Sequence, residues 1–573
     1  MNLKKLLAML LAVVLLVGCS GGQPSGGESS GGNDSEEGGA APAEEGGEAS
    51  GDVAIQAPTP LISMDTAIAT DGTSFIAQSM CISGLMALDE NGNPVEDLAE
   101  SYEVSDDGLV YTFKIRDNAN WSNGEPVTAN DFVFAWQRVV DPETASDYQW
   151  IFETANVAGG DAYDPESGSK PSDLGIKAVD DKTLEVTLVA PSGFFLSLLA
   201  FPSFFPANEA FVTEKGDQYA LSVDNLLFCG PYKLTSWTSG YSFEFEKNPD
   251  YWDAAGYEKY ANKVVFREVE DTQTALLEYE GGNLDTVMLS GEQVDANSDK
   301  AGFTNRLQGY LFYLSINVNN NVHDRPGAAD MNNDNARQAI KYAIDREALV
   351  GVLNDGSVAA EGIIPFALAA NPETGNDFRI DSGVLVEYDA EKAKEFYEKA
   401  KEEVGHDIEI ELLYGTDEGD SIIKAAEQIQ FFLEEAGFTV NLNGKPKKER
   451  LALANTTEDH DYDVMLTRWG PDYGDPQTYM DLFVSTNTSN NDGGYNSETY
   501  DALVADAENG EGISDPMKRW QDFIDAEKTL VADDAGVVPV FQAGGAMIIS
   551  PSISGIEFHS AGVDSYRHII ANK

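Results

Sequence analysis

The chain reads as a mixed α/β protein built from several structural units, and three observations lead there. Short runs that alternate apolar and polar residues are interleaved with longer runs at helical spacing. A length of 573 residues allows about three or four units of about 100–200 residues each. No segment repeats at a fixed period, which excludes solenoids and propellers.

The first residues are of a different kind. Residues 1–5 carry two lysines, and residues 6–17 are an uninterrupted apolar run of twelve. Twelve apolar residues are too few for a hydrocarbon core about 30 Å thick, so residues 1–18 are expected to be a signal peptide and not a membrane helix. The ending Leu16-Val17-Gly18-Cys19 resembles a bacterial lipobox. That resemblance implies cleavage before Cys19 and lipid on its sulfur and new amino group; an ordinary signal peptide that happens to hold a cysteine is the alternative. Residues 20–51 contain eleven Gly, six Ser and seven acidic residues, with no aromatic and no aliphatic larger than Ala. Such a segment has nothing to bury, so residues 19–52 are expected to be a lipidated cysteine followed by a disordered tether. The body would then sit at the outer face of the bacterial cytoplasmic membrane, beginning near Val53.

Within the body, residues 110–115, 183–189, 241–245 and 537–541 read as strands; in the second, Leu184, Val186 and Leu188 alternate with Glu185 and Thr187. Thr128 is placed to cap a helix running through Phe132, Phe134, Ala135 and Trp136, with Asp131 completing a capping box. Residues 421–436 carry Ile422, Ile423, Ala426, Ile429 and Leu433 at helical spacing and stop at Gly437. Residues 388–404 place Ala393, Phe396, Tyr397 and Ala400 on one stripe. These stripes are expected to be core.

Charge and motif content narrow the function. The 98 acidic residues against 36 Lys and Arg give a net charge of -62, so nucleic acid is not an expected partner, because phosphate binding depends on cations. Three cysteines cannot build a disulfide scaffold. His323, His406, His460, His559 and His568 are scattered, and no zinc spacing, G-x-S-x-G elbow or phosphate loop occurs, so neither a metal nor a cofactor is expected. The run Asp89 to Glu100 has oxygens at several positions of a calcium loop, but Pro94 stands where that loop needs Gly, which favours a plain turn. A tethered α/β body without reaction chemistry points to capture of a ligand.

Four blocks carry a family resemblance. The stretch from Leu98-Ala99-Glu100-Ser101-Tyr102 through Tyr111-Thr112-Phe113 to Trp121-Ser122-Asn123-Gly124-Glu125-Pro126-Val127-Thr128 is the first. Gly230-Pro231-Tyr232-Lys233-Leu234 with Lys247-Asn248-Pro249-Asp250-Tyr251-Trp252 is the second, and Asn335-Ala336-Arg337-Gln338-Ala339-Ile340 with Ala343-Ile344-Asp345-Arg346 the third. Trp469-Gly470-Pro471-Asp472-Tyr473-Gly474-Asp475-Pro476 is the fourth. In this order the blocks resemble the oligopeptide-binding proteins, the extracytoplasmic solute-binding subunits of peptide ABC importers. The resemblance implies a two-lobed periplasmic-binding-protein-like fold with an additional small domain on lobe I. Lobe I would take residues 53–100, 206–310 and 531–573, the small domain 101–205, and lobe II 311–530. The chain would cross between lobes near 311–317 and 531–541, where hinge bending is absorbed. The partners implied are an oligopeptide and the permease subunits of an ABC transporter, with the receptor itself a monomer and not an enzyme.

A receptor for many peptides must bind what all peptides share, namely the main chain and the charged termini. By resemblance, residues 463–469 would be the strand beside the peptide, and the acid of the W-x-x-D-Y motif, here Asp472, would grip its α-ammonium; a turn-capping role is the alternative. Trp469, Gly470 and Tyr473 are expected near the ligand, with core packing as the alternative for the two aromatic residues. Arg468 is a candidate for a ligand carboxylate, although it sits two positions from the arginine of some members, where this chain has Leu466. Trp121 to Gly124 is expected to be a turn and Asp345-Arg346 a helix-surface pair. Ser83-Gly84-Leu85 replaces the Glu-Gly-Leu of many peptide binders, which leaves ligand charge and length open. Cys81 and Cys229 both map to lobe I, and a disulfide between them is expected, two buried free thiols being the alternative. The acidity reads first as solubility or salt adaptation, with selection of cationic peptides as the alternative. Rival functions are a receptor of the same fold for an oligosaccharide, a metal chelate or a peptide pheromone, and a surface hydrolase.

Overall fold

Alternation sets the first sheet. In Val110–Ile115, Tyr111, Phe113 and Ile115 turn inward, and the strand pairs antiparallel with Ala99–Val104 on one side and Thr183–Thr187 on the other; Ile176–Asp180 closes this four-stranded sheet. Helix Ala129–Val139 starts where expected: the Asp131 carboxylate accepts from the Thr128 backbone N–H at 2.7 Å, and Trp121 Nε1 donates to the same oxygen at 3.2 Å. The structure, a computed structural model, describes residues 51–164, 167–318, 330–455, 462–487, 490–510, 512 and 515–572. The signal peptide, Cys19, nearly all of the tether, His323 and His460 lie outside the described residues.

A second four-stranded sheet has the order Val53–Ala57, Lys263–Glu268, Ser242–Lys247, Tyr232–Thr238, its first pair parallel and the rest antiparallel. The third is the largest, a seven-stranded mixed sheet ordered Thr286–Met288, Val537–Ile549, Phe303–Ile316, Val464–Trp469, Glu409–Gly415, Thr439–Lys445, with Val358–Ala359 attached to 537–549. Both faces of its central strands are covered. Leu314 and Ile316, with Val464 and Leu466, pack under helices Asp334–Ala343, Ala390–Val404 and Asp420–Ala436; Leu311 and Tyr313 pack on the opposite face against Tyr479, Phe483 and Phe523. Burial on two faces is what the apolar stretches Leu311-Phe312-Tyr313-Leu314 and Val537-Val538-Pro539-Val540-Phe541 provide for.

The helices begin and end on chemistry visible in the sequence. The Asp389 side chain accepts from the backbone N–H groups of Glu391 and Lys392, and helix 390–404 ends at Gly405 with φ of 86°. Helix 420–436 ends at Gly437, φ 121°, where an added Cβ would lie 2.6 Å from the Tyr397 ring. Asp345-Arg346 is not a surface pair. Asp345 caps helix Arg346–Leu353, whereas Arg346 is buried beneath strand 537–549 and donates to the carbonyls of Pro539 at 2.7 Å and Ile344 at 3.0 Å.

Two strands of 14 and 13 residues, 303–316 and 537–549, run antiparallel through the large sheet and shift register twice, between Leu307 and Leu311 and again between Phe312 and Tyr313. Leu307 faces Gly544 but Leu311 faces Gln542, so residues 308–310 bulge opposite Ala543. This break lies just before the first expected crossing and just after the second.

The expected Cys81–Cys229 disulfide is absent: both are buried free thiols. They lie close in the fold, since the backbone N–H of Cys229 donates to the Cys81 carbonyl at 3.2 Å. Each thiol, however, is turned to a carbonyl instead, Cys81 Sγ to Ala77 O at 3.3 Å and Cys229 Sγ to Ser83 O at 3.9 Å. Burial pushes both thiols far above their ordinary pKa, which starves oxidation of thiolate. Residues 89–93 form a hairpin turn in which Asp89 Oδ1 accepts from the N–H groups of Asn91 and Asn93, so this carboxylate is spent on its own backbone.

Two predictions follow from this packing. Titration of the unfolded, unreduced body with a thiol reagent counts two reactive cysteines besides Cys19; none would restore the disulfide. Arg379 and Glu527, both fully buried, are joined by two hydrogen bonds of 2.5 and 2.8 Å, and Glu527 also accepts from Ser382 Oγ and the Ile364 N–H. Glu527→Ala strands the guanidinium and should cost about 3–5 kcal/mol in urea unfolding.

Candidate ligand-binding site

Strand 464–469 carries the chain to the site. It pairs along its whole length with 311–316, but with 409–415 only at Val464 and Met465, so among the described residues Leu466 to Trp469 keep one edge free of strand pairing. After Trp469 the chain leaves the sheet as a loop, 470–476, and turns into the short helix Gln477–Met480. That loop is braced at both ends. Thr478 Oγ1 accepts from Trp469 Nε1 and from the Asp472 N–H, each at 3.4 Å, and the Tyr479 hydroxyl donates toward the carbonyls of Gly309 at 2.5 Å and Trp469 at 3.1 Å. Asp475 is gripped by both terminal nitrogens of Arg519, at 2.7 and 2.8 Å, and Arg519 also donates to Gln477 Oε1. Beneath lie Asp481 and Glu508. Burial, then the hydrogen bond to Asp481, pushes Glu508 up to about 10, so the two carboxyls hold a proton between them at neutral pH.

Asp472 stands at the crest of this loop and lines two cavities, one of about 390 Å³ and one of about 1010 Å³, which also share Phe201, His559 and Asp564. Its carboxylate has no cation beside it among the described residues, and desolvation alone pushes it up to about 7. Two other carboxylates of the cleft wall are answered by arginines: Asp564 by Arg306 at 2.5 Å, and Asp97 by Arg567 at 2.8 Å.

The remaining expected site residues separate. Tyr473 is buried, lines the larger cavity, and stacks on Phe194 with ring centroids 3.9 Å apart and planes 10° apart, joining the loop to the residues around the first sheet. Gly470 lines the smaller cavity, and an added Cβ there would lie 2.2 Å from the Tyr310 ring. Trp469 packs toward Tyr479 and Phe483 and lines neither cavity. Arg468, on the opposite face of the strand from Trp469, lies exposed over the rings of Tyr310 and Phe312 and likewise lines neither. Ser83 is buried in the core and lines neither cavity. The structure adds residues that sequence reasoning passed over: Phe75, Tyr148, Arg306, Asp564 and Arg519. Only the Asp475 partner of Arg519 lay inside a recognised block.

The profile of the bacterial extracellular solute-binding proteins, family 5 (middle region), matches residues 93–491. The chain belongs to this family. Family 5 relatives of similar length include a dipeptide-binding protein of Lactococcus lactis, 34% identical over 88% of this chain and 92% of its own. A periplasmic oligopeptide-binding protein OppA of Salmonella typhimurium is 32% identical over 82% and 83%. Among solved structures, Listeria monocytogenes OppA bound to peptide superimposes with a TM-score of 0.73 at 34% identity, covering 92% of this chain and all of that one. The pheromone receptor PrgZ gives 0.74 at 32%, covering 91% and 100%. The fold is therefore the two-lobed α/β fold of these receptors. Among the described residues, no helix is long and apolar enough to cross a membrane.

The raised carboxyl gives a sign-definite stability prediction. Because Asp472 holds its proton up to about 7 when folded but releases it near 4 when unfolded, it lowers stability as pH rises from about 4 to 7. Asp472→Asn removes that loss. The ligand-free variant should be more stable than the parent by roughly 1–3 kcal/mol at pH 8 and equal to it at pH 3.5, measured by urea unfolding.

Proposed function

We propose that this protein is the receptor subunit of an ABC importer, lipid-anchored through Cys19, that captures oligopeptides between its lobes and delivers them unaltered to a membrane permease. The observation that carries the reading is the Asp472 carboxylate, desolvated and with no cation beside it among the described residues, lining both cavities. Such a group is a site for an incoming cation, and a peptide offers one at its α-ammonium. The free edge of Leu466 to Trp469 leads directly to Asp472, so an extended peptide could add to that edge while its first nitrogen meets the carboxylate. The names of the relatives, dipeptide- and oligopeptide-binding proteins, support a peptide over a sugar or a metal chelate. Arg519, Thr478 and Tyr479 act as positioning residues that hold the loop.

Calorimetry with a tetrapeptide and its N-acetylated form tests this. Asp472→Asn is expected to weaken the free-amino peptide by roughly 30-fold or more, the equivalent of about 2–5 kcal/mol. Acetylation should weaken binding to the parent as much, and to Asp472→Asn no further. Equal binding of both forms by the parent would end the ammonium assignment. Affinity should rise with pH up to about 7, where Asp472 ionises, by roughly tenfold per unit well below that value. It should fall again above about 8, as the peptide's amino group loses its own proton.

A further inference from the structure

We infer that the stacked pair Phe194–Tyr473 is a latch across the cleft, which biases the two-lobed body toward its shut form through groups of the chain alone. It rests on the two-lobed fold and not on the identity of the ligand. The buried apolar side chains fall into separate cores. One is built from residues of 53–266 and 553–571, around the first two sheets. Two others lie on the two faces of the large sheet and come from residues between 311 and 541. Among the described residues between 267 and 552, Tyr473 is the only buried side chain that belongs to the first of these cores. Its neighbours along the chain go the other way, Trp469 packing toward Tyr479 and Phe483. Tyr473 therefore leaves its own half of the molecule and is buried in the other.

Both rings are braced from behind. Phe194 opens the short helix Phe195–Leu198, whose Phe195 meets the Tyr111 ring of the first sheet edge-on, with centroids 4.8 Å apart. Tyr473 rides on the loop held by Thr478 and by the Asp475–Arg519 pair. The two rings are 3% and 4% exposed, so the stack is dry. The larger cavity has walls from both halves, Leu368 and Ala369 on the large-sheet side and Met86 and Phe201 on the other, and Asp472, Tyr473 and Gly474 line it in succession. A hinge motion that separates these walls has to break the stack and wet both rings. Both partners belong to the chain, so the contact forms without any ligand group. It contributes in the shut form and is lost in the open one, and it shifts the balance between them by that difference. For an aromatic pair the shift is a factor of roughly 2 to 10.

The test uses the full chain, stripped of bound ligand by unfolding in guanidinium chloride and refolding. Small-angle X-ray scattering of the parent is expected to give the profile of the shut form. Phe194→Leu keeps apolar volume and loses the stack, and it is read on the opposite wall: hydrogen exchange of the amides in 470–476 should speed up by roughly 2- to 10-fold. Tyr473→Leu breaks the pair from the other side and is read in the same way at 195–199, which also serves if the first variant fails to fold by circular dichroism. The double variant should open no further than either single one, because both remove the same interaction. Tyr473→Phe keeps the ring and should exchange as the parent does. Faster exchange in Phe194→Leu confined to its own side, for example at 110–115, with 470–476 unchanged, would make the ring ordinary packing and overturn the inference. A stripped parent that scatters as an open form would overturn it without any variant.

Discussion

The bulge at residues 308–310 is the constraint on which the site depends. Two long antiparallel strands cannot lose register without leaving backbone groups unpaired, and each must find a partner. Gln542, almost fully buried, answers from the opposite strand: its amide nitrogen donates to the carbonyls of Gln308 and Phe366, and its oxygen accepts from the Phe366 N–H. The Gly309 carbonyl accepts from the Tyr479 hydroxyl. Gly309 itself admits no side chain, because a Cβ would fall 1.8 Å from the Ser560 carbonyl and 2.6 Å from the Pro471 ring. The same irregularity therefore seats three segments against one another: the strand 303–316, the loop bearing Asp472, and the chain around 558–562.

Held this way, the loop needs little regular structure of its own. Its geometry comes from Thr478 and Tyr479 just downstream and from the Asp475–Arg519 pair. Arg519 belongs to helix Pro516–Glu527, whose far end carries Glu527 into the ion pair with Arg379. The loop is thus tied to a helix that is itself pinned in the core, which keeps the Asp472 carboxylate in place and, on the proposed reading, lowers the ordering cost of binding.

Local order was legible in the sequence to the extent that it is set locally. The capping box at Thr128 and Asp131, the Asp389 and Gly405 ends of one helix, and the alternation in 110–115 are short-range chemistry, and the structure shows each. Arg346 was misjudged because a residue one step into a helix faces outward or inward according to what lies across from it, here strand 537–549. The cysteine pair failed for a related reason: nearness in the fold does not set thiol direction, and each thiol turned to a carbonyl. Asp472 could be singled out because it sits in a recognised block. The pocket walls could not, since Phe75, Tyr148, Arg306 and Asp564 come from segments separated by tens to hundreds of residues.

In a chain with 98 acidic residues, abundance says nothing about which carboxylate binds a ligand. Environment does. Asp65 is held by Arg138, Asp97 by Arg567, Glu418 by Arg450, Asp475 by Arg519, Glu527 by Arg379 and Asp564 by Arg306, and the Asp481–Glu508 pair keeps a proton. Asp492 is pushed up to about 6, but the charge of Arg450 opposes the shift and the residue lines neither cavity. Asp472 differs in that nothing among the described residues offsets its desolvation, and it faces open volume. A fold that supplies arginines to these covered acids, and none among the described residues to this one, supports the proposed reading that the compensating positive charge comes from outside. The carboxylate's cost in the free protein then becomes part of the affinity for whatever cation neutralises it.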